Sequence, residues 1–151
     1  MKVSDYLDES TICFLKASSR EAAILELVEI LHASGKIQEE QPFYQALLQR
    51  EKILSTGIGR GVAIPHAKGK EYPQFFLALG IQQGEGIEWN ALDKAPVRLI
   101  FLIGGPKDKQ DEYLQILSKV TFAIKDDLLR KKLLSSKNLT KSQVAELIEP
   151  Y

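Results

Sequence analysis

Apolar positions along this chain recur with helical or strand-like spacing, and in two places they run together without any spacing. Residues 11–16, Thr-Ile-Cys-Phe-Leu-Lys, are β-branched and apolar enough to predict a short strand. Ile24, Leu27, Val28 and Leu31 then fall on one helical face. Ser18-Ser-Arg-Glu21 supplies a capping-box pattern at the start of that helix, and Gly35 a stop signal at its end. A second helix is predicted from about residue 39 to 52, with Pro42 tolerated near its start and Phe43, Leu47 and Leu48 as its buried face. The helical rhythm returns at Tyr113, Leu114, Leu117 and Val120, and another helix is predicted over 126–134. Thr140-Lys-Ser-Gln143, a second capping box, opens a last helix through Val144, Leu147 and Ile148, which Pro150 ends.

Between the helical stretches lie residues 75–81 and 96–103, nearly continuous in apolar side chains. A strand with one wet face alternates, so these predict strands covered on both faces. Residues 84–86 and 89–93 read as turns or a short edge strand, with Trp89 a half-buried core aromatic. The pattern predicts one α/β domain over residues 1–151, a central sheet flanked by helices on both faces.

Composition narrows the class of function without choosing it. The 151 residues are 44% hydrophobic and 26% charged, enough apolar content for one core. Twenty basic residues balance twenty acidic ones, so no global field draws nucleic acid or an anionic membrane. No apolar run approaches the roughly 20 residues that span a bilayer, and the first residues lack the apolar core of a signal peptide. Cys13 is the only cysteine, which excludes an intrachain disulfide and fits a reducing, cytoplasmic setting.

The stretch Ser55-Thr-Gly-Ile-Gly-Arg-Gly-Val-Ala-Ile-Pro-His-Ala-Lys68 carries the candidate chemistry. Glycine allows close backbone approach and proline fixes the path of the chain, so together they can present His66 at a defined point. A dinucleotide fingerprint would need glycine where Val62 stands, and the P-loop pattern is absent. Two distant histidines and one cysteine give no metal site, and no nucleophile elbow surrounds Ser55. His32, in the last turn of its helix, reads as a partly exposed end residue rather than a ligand. Between Arg50 and Glu71, however, five basic residues face two acidic ones. Such a cluster is what an ordinary solvated face carries, and it is also what an anion needs. Backbone N–H groups, the hydroxyls of Ser55 and Thr56, and a guanidinium are donors suited to a phosphoryl group. A neutral imidazole is a competent nucleophile near pH 7, so His66 could accept that group while Arg50 offsets its charge.

Arg50-Glu-Lys, Ser55-Thr-Gly-Ile-Gly59 and Ile64-Pro-His66 together resemble the signature of EIIA domains of the bacterial phosphoenolpyruvate-dependent phosphotransferase system. The resemblance is to the fructose/mannitol class, which includes the nitrogen-regulatory EIIA proteins, and it extends over nearly the whole chain. It implies a mixed β-sheet flanked by helices and a cytoplasmic phosphocarrier that needs neither cofactor nor metal. His66 matches the histidine phosphorylated by phospho-HPr, through Nε2, and Arg50 matches the site arginine. Thr56 and Gly59 fall in the matching segment as pocket residues. Members of the family carry a second active-site histidine at the start of the helix after the last long strand, where this chain has Tyr113. Tyrosine can hydrogen-bond or pack beside His66 but cannot carry positive charge.

The resemblance implies a donor, phospho-HPr or its nitrogen-branch homologue, and an acceptor, an EIIB domain or a regulatory target. The absence of EIIB-like, HPr-like and membrane segments from this sequence points toward the nitrogen-regulatory branch. A sugar-specific EIIA, or a partner-binding module that is never phosphorylated, are the alternatives.

Overall fold

The computed structural model describes residues 1–135 and 137–151. In chain order the elements are β1 (Ile12–Phe14), α1 (Arg20–Ala33), α2 (Glu40–Ile53), β2 (Gly57–Gly59), β3 (Val62–Ala63), β4 (His66–Lys68), β5 (Phe76–Ile81), β6 (Leu99–Gly105), α3 (Gln110–Lys125), α4 (Asp127–Leu134) and α5 (Lys141–Ile148). Short 3-10 turns at Val3–Asp5 and Glu9–Thr11 precede β1.

The strands form one mixed sheet in the order β1-β5-β6-β3-β2, with β4 also paired to β6. Strand β5 runs parallel to β1 and antiparallel to β6, while β3 and β4 both run parallel to β6. Residues of β3 pair with Leu99 and Ile100, and those of β4 with Ile103, Gly104 and Gly105. Ile64 and Pro65 lie between the two, and the Pro65 carbonyl accepts from the Ile103 N–H at 3.0 Å. Proline has no N–H to return to the ladder, so the edge is broken just before His66.

The period-2 geometry of a strand explains why the central strands read as unbroken apolar runs. Leu77, Leu79 and Ile81 of β5, with Leu99, Phe101 and Ile103 of β6, pack toward α3, α4 and α5. Ala78, Ile100 and Leu102 point to the opposite face and meet Ile24, Leu27 and Leu31 of α1 and Phe43 and Leu47 of α2. Each strand is therefore buried on both sides, as the sequence predicted.

Local signals were less exact. The cap of α1 is Ser19, whose side chain accepts from the Ala22 N–H, so the 18–21 capping box is displaced by one residue and Glu21 pairs with Arg20 instead. The second box is formed as predicted, with Thr140 and Gln143 satisfying each other's backbone N–H groups. Leu114 is 51% exposed, so the buried stripe of α3 runs through Tyr113, Ile116, Val120 and Ile124. Leu48 is only partly buried against its cluster. Trp89 is fully buried, and Ile87 makes an antiparallel bridge with Val97 beside it.

The glycine-rich stretch is not a loop. It folds as the hairpin β2–β3 followed by β4. Arg60 and Gly61 form its two-residue turn, both at positive φ (60° and 75°), the primed geometry that suits a twisted hairpin. The N–H of Arg60 is held by Asp93 Oδ2 at 3.1 Å.

Candidate phosphoryl-acceptor site

His66 opens β4 and lies half-buried at the broken sheet edge. Its two ring nitrogens meet partners of opposite kind. Nδ1 lies 3.1 Å from the carbonyl oxygen of Ile64, which can only accept. Nε2 lies 3.3 Å from Nε of Arg50, which can only donate. Both contacts are satisfied by a single tautomer, with the proton on Nδ1 and the lone pair on Nε2. Burial is the main cause that pulls the His66 pKa below its ordinary value. The bond to Ile64 opposes this, and the nearby charges of Arg50 and Lys68 add to it. The ring is thus neutral at pH 7, its nucleophilic nitrogen on Nε2.

Arg50 sits in the last turn of α2. Its Nη1 donates to the carbonyl of Leu54 at 2.6 Å, closing the helix end and fixing the guanidinium plane while Nε points at His66. The next residue, Glu51, is 4% exposed and turns the other way. Its carboxylate accepts from the Thr56 N–H at 3.0 Å and from the Thr56 hydroxyl. Trp89 Nε1 donates to the same hydroxyl oxygen at 3.1 Å. The Thr56 carbonyl in turn accepts from the Ile64 N–H at 3.0 Å, and the Ile64 carbonyl holds His66. A continuous set of bonds therefore connects the buried Glu51 carboxylate to the imidazole.

Those bonds decide where the expected pocket residues stand. The Thr56 hydroxyl is engaged between Glu51 and Trp89, and the Ser55 hydroxyl donates to the Trp89 carbonyl at 2.6 Å. Both hydroxyls secure the chain around Trp89 rather than offering donors to an anion. Gly59 is at φ +94°, where the β2–β3 register shifts, and a side chain there would crowd Asp93. Its contacts are with the hairpin and the Asp93 loop.

Tyr113, from the first turn of α3, does lie beside His66. The ring centroids are 5.8 Å apart with planes tilted by 47°, and the contact is ring packing. Sequence reasoning counted Lys68 only as one of five basic residues in the stretch and did not single out Gln110. Lys68 Nζ stands 4.0 Å from the Tyr113 ring centroid and donates to Gln110 Oε1 at 2.7 Å. A lysine two residues beyond a strand histidine shares its face, and this period was the available signal. His32, by contrast, is half-exposed and pairs with Glu40 of α2 at 3.0 Å, an end-of-helix contact as expected.

Among the described residues no group of histidine, cysteine and carboxylate side chains could hold a metal, and no helix is long and apolar enough to cross a membrane.

Comparison with known proteins fits this geometry. Residues 5–150 match the family model described as "Phosphoenolpyruvate-dependent sugar phosphotransferase system, EIIA 2". A fructose-specific EIIA component from Haloferax volcanii is 33% identical over 96% of this chain and 99% of its own length. A nitrogen regulatory protein from Bradyrhizobium diazoefficiens is 31% identical over 91% of this chain and 90% of its own length. The chain spans only 22% of a fructose-specific EIIABC component from Bacillus subtilis, at 32% identity over 91% of the chain. Among solved structures, the nitrogen regulatory protein IIA-Ntr from Neisseria meningitidis superposes with a TM-score of 0.86 at 26% identity, covering 97% of this chain and 98% of that one. A match this long, to relatives of both sugar-specific and regulatory kind, makes the chain a member of the type 2 EIIA family of the phosphoenolpyruvate-dependent sugar phosphotransferase system.

Proposed function

We propose that the protein is a cytoplasmic phosphocarrier whose His66 Nε2 accepts a phosphoryl group from phospho-HPr or a nitrogen-branch homologue. The observation that carries this reading is the pair of fixed partners on the ring: Ile64 O holds the proton on Nδ1, leaving the Nε2 lone pair beside a guanidinium. In the transfer, Nε2 forms a bond to phosphorus as the bond from phosphorus to the donor's imidazole breaks. The donor ring keeps the N–H on its other nitrogen and leaves neutral. His66 becomes a cationic phosphoimidazole whose Nδ1–H still donates to Ile64. Arg50 offsets charge on the phosphoryl oxygens in the transition state, where little covalent work is left to the protein. Delivery to a cysteine thiolate of an EIIB domain reverses the first step, forming S–P, breaking N–P and returning His66 to the neutral ring.

The surroundings suit a protein donor. Ile53 and Leu54, directly after the Arg50 turn, are 79% and 70% exposed, and Leu114, next to Tyr113, is exposed as well. Apolar side chains left open around a polar centre mark a partner surface.

Of the possible branches we favour the nitrogen-regulatory one, supported by the superposition on IIA-Ntr over nearly the full length of both chains. A sugar-specific carrier is the second reading, favoured by the full-length match to a fructose-specific EIIA component. Incubation with phospho-HPr tests the shared chemistry. The expected result is one acid-labile phosphate per chain, absent from His66→Ala; a wild type that gains none, or a His66→Ala that still gains it, overturns the assignment. Subsequent transfer to a fructose-class EIIB cysteine would select the second branch over the first.

A further inference from the structure

We propose that Lys68 is the second phosphoryl-binding cation of this site, held beside His66 by the face of Tyr113 and by Gln110. This rests on the reading of His66 as a phosphoryl acceptor.

The sheet geometry places the ammonium. Ala67 packs into the cluster on the α1 and α2 side, so its neighbours on β4, His66 and Lys68, share the opposite face. Lys68 Nζ then reaches the Tyr113 ring at 4.0 Å and Gln110 Oε1 at 2.7 Å, while the same Tyr113 ring packs 5.8 Å from the imidazole. Arg50 approaches His66 from α2, a different element. The imidazole thus has a guanidinium against Nε2 and, on the far partner of the shared Tyr113 ring, an ammonium whose charge also acts on it.

The partners of Lys68 are the telling feature. Both an amide oxygen and an aromatic face are neutral, and among the described residues no carboxylate forms an ion pair with Lys68. Two neutral supports orient an ammonium without cancelling its charge. Burial also pulls the Lys68 pKa below its ordinary value, so the charge is already partly stripped of water and acts more strongly on an incoming anion. A phosphoryl group brings nearly two negative charges, more than Arg50 alone offsets. When it forms on Nε2, Nζ exchanges the Gln110 oxygen for a phosphoryl oxygen, and no bond other than a hydrogen bond changes. Tyr113 acts as a positioning residue through its ring. This arrangement supplies positive charge from β4 at a site where related proteins, by the resemblance drawn above, carry a second histidine.

The test compares wild type with Lys68→Met, Lys68→Gln and Lys68→Arg, following both the rate of phosphate gain from phospho-HPr and the NMR titration of the His66 ring in the free protein. Lys68→Met and Lys68→Gln should each slow acceptance on the order of tenfold, below the loss typical for a full oxyanion donor because Arg50 remains. Lys68→Arg should recover most of that loss. The His66 pKa should rise in the neutral variants, since a neighbouring positive charge has gone. A wild type that is phosphorylated while the neutral variants keep its rate, or a loss that Lys68→Arg does not relieve, overturns the role of Lys68 alone. A wild type that takes no phosphate overturns the phosphocarrier reading and this proposal with it.

Discussion

Two polar clusters stand side by side in this protein and are built on opposite rules. Glu51, Thr56 and Trp89 form one; Arg50, His66 and Lys68 form the other. They share a helix end, since Arg50 and Glu51 are adjacent in α2, and they are linked through the Thr56 and Ile64 backbone. In the first, every contact is between groups that have nowhere else to go. The carboxylate is buried, its donors are a backbone N–H and a hydroxyl, and the hydroxyl oxygen is taken by an indole N–H. Such a cluster is rigid because opening any bond leaves a buried polar group without water or partner. In the second, the ring is half-buried, its tautomer is fixed on one side, and the other side faces cations whose present partners are a ring nitrogen, a carbonyl and an amide. Those partners can be exchanged for an anion. On the proposed phosphocarrier reading, the comparison teaches that the accepting ring has one locked contact and one replaceable one.

The largest test of that contrast is His66→Ala, which should abolish phosphate gain while leaving the far-ultraviolet spectrum and melting temperature near wild type. Arg50→Met should follow, lowering acceptance on the order of a hundredfold, the scale for losing a donor aimed at developing charge. Its readout is the initial rate with phospho-HPr. Glu51→Ala attacks the sealed cluster and should act on stability first. It leaves the Thr56 N–H and hydroxyl unsatisfied in a buried place, at a cost of about 3 kcal/mol, seen as a melting temperature lower by roughly 10 °C. If Glu51→Ala melts like wild type yet loses phosphorylation, the two clusters are not distinct in the way described here.

A smaller effect concerns pH. Burial lowers the folded pKa of His66 below the unfolded value near 6.5, so the unfolded chain binds more protons in the window between the two. This group's contribution to stability is fully present above about pH 6.5 and is lost as pH falls through the folded pKa. Urea unfolding of wild type and His66→Gln between pH 5 and 8 should show a difference that closes on that acid side. The smallest effect expected is from Tyr113→Phe. The contact with His66 is ring packing and Lys68 sits on the ring face, so acceptance should stay within about twofold of wild type. A large loss would show that the hydroxyl, not the ring, matters.

Much of the fold was legible in the order of residues. Unbroken apolar runs at 75–81 and 96–103 meant strands covered on both faces, and the structure places α1 and α2 on one side and α3, α4 and α5 on the other. The Gly35 stop and the Thr140 capping box were readable because they are local, each depending on a few backbone torsions or bonds. The motif around Arg50, Gly57–Gly59 and Pro65-His66 named the family and made His66 the candidate phosphoryl acceptor.

What the sequence alone determined, then, is the layered α/β plan and the family motif that singles out His66 as the proposed acceptor, because periodicity and motif are properties of neighbouring residues. Only the tertiary structure decided what surrounds that histidine. Alternate glycines that read as allowing close backbone approach turned out to make a hairpin, since Arg60 and Gly61 take the positive φ of a primed turn. The hydroxyls of Ser55 and Thr56 went to Trp89 and Glu51, partners 34 and 5 residues away, because burial forces polar groups to satisfy one another first. Lys68 met Gln110 and Tyr113 across 42 and 45 residues of chain, which no spacing could announce. The proposal that Nε2 is the accepting nitrogen also rests on tertiary contacts, one acceptor from the preceding strand edge and one donor from a distant helix.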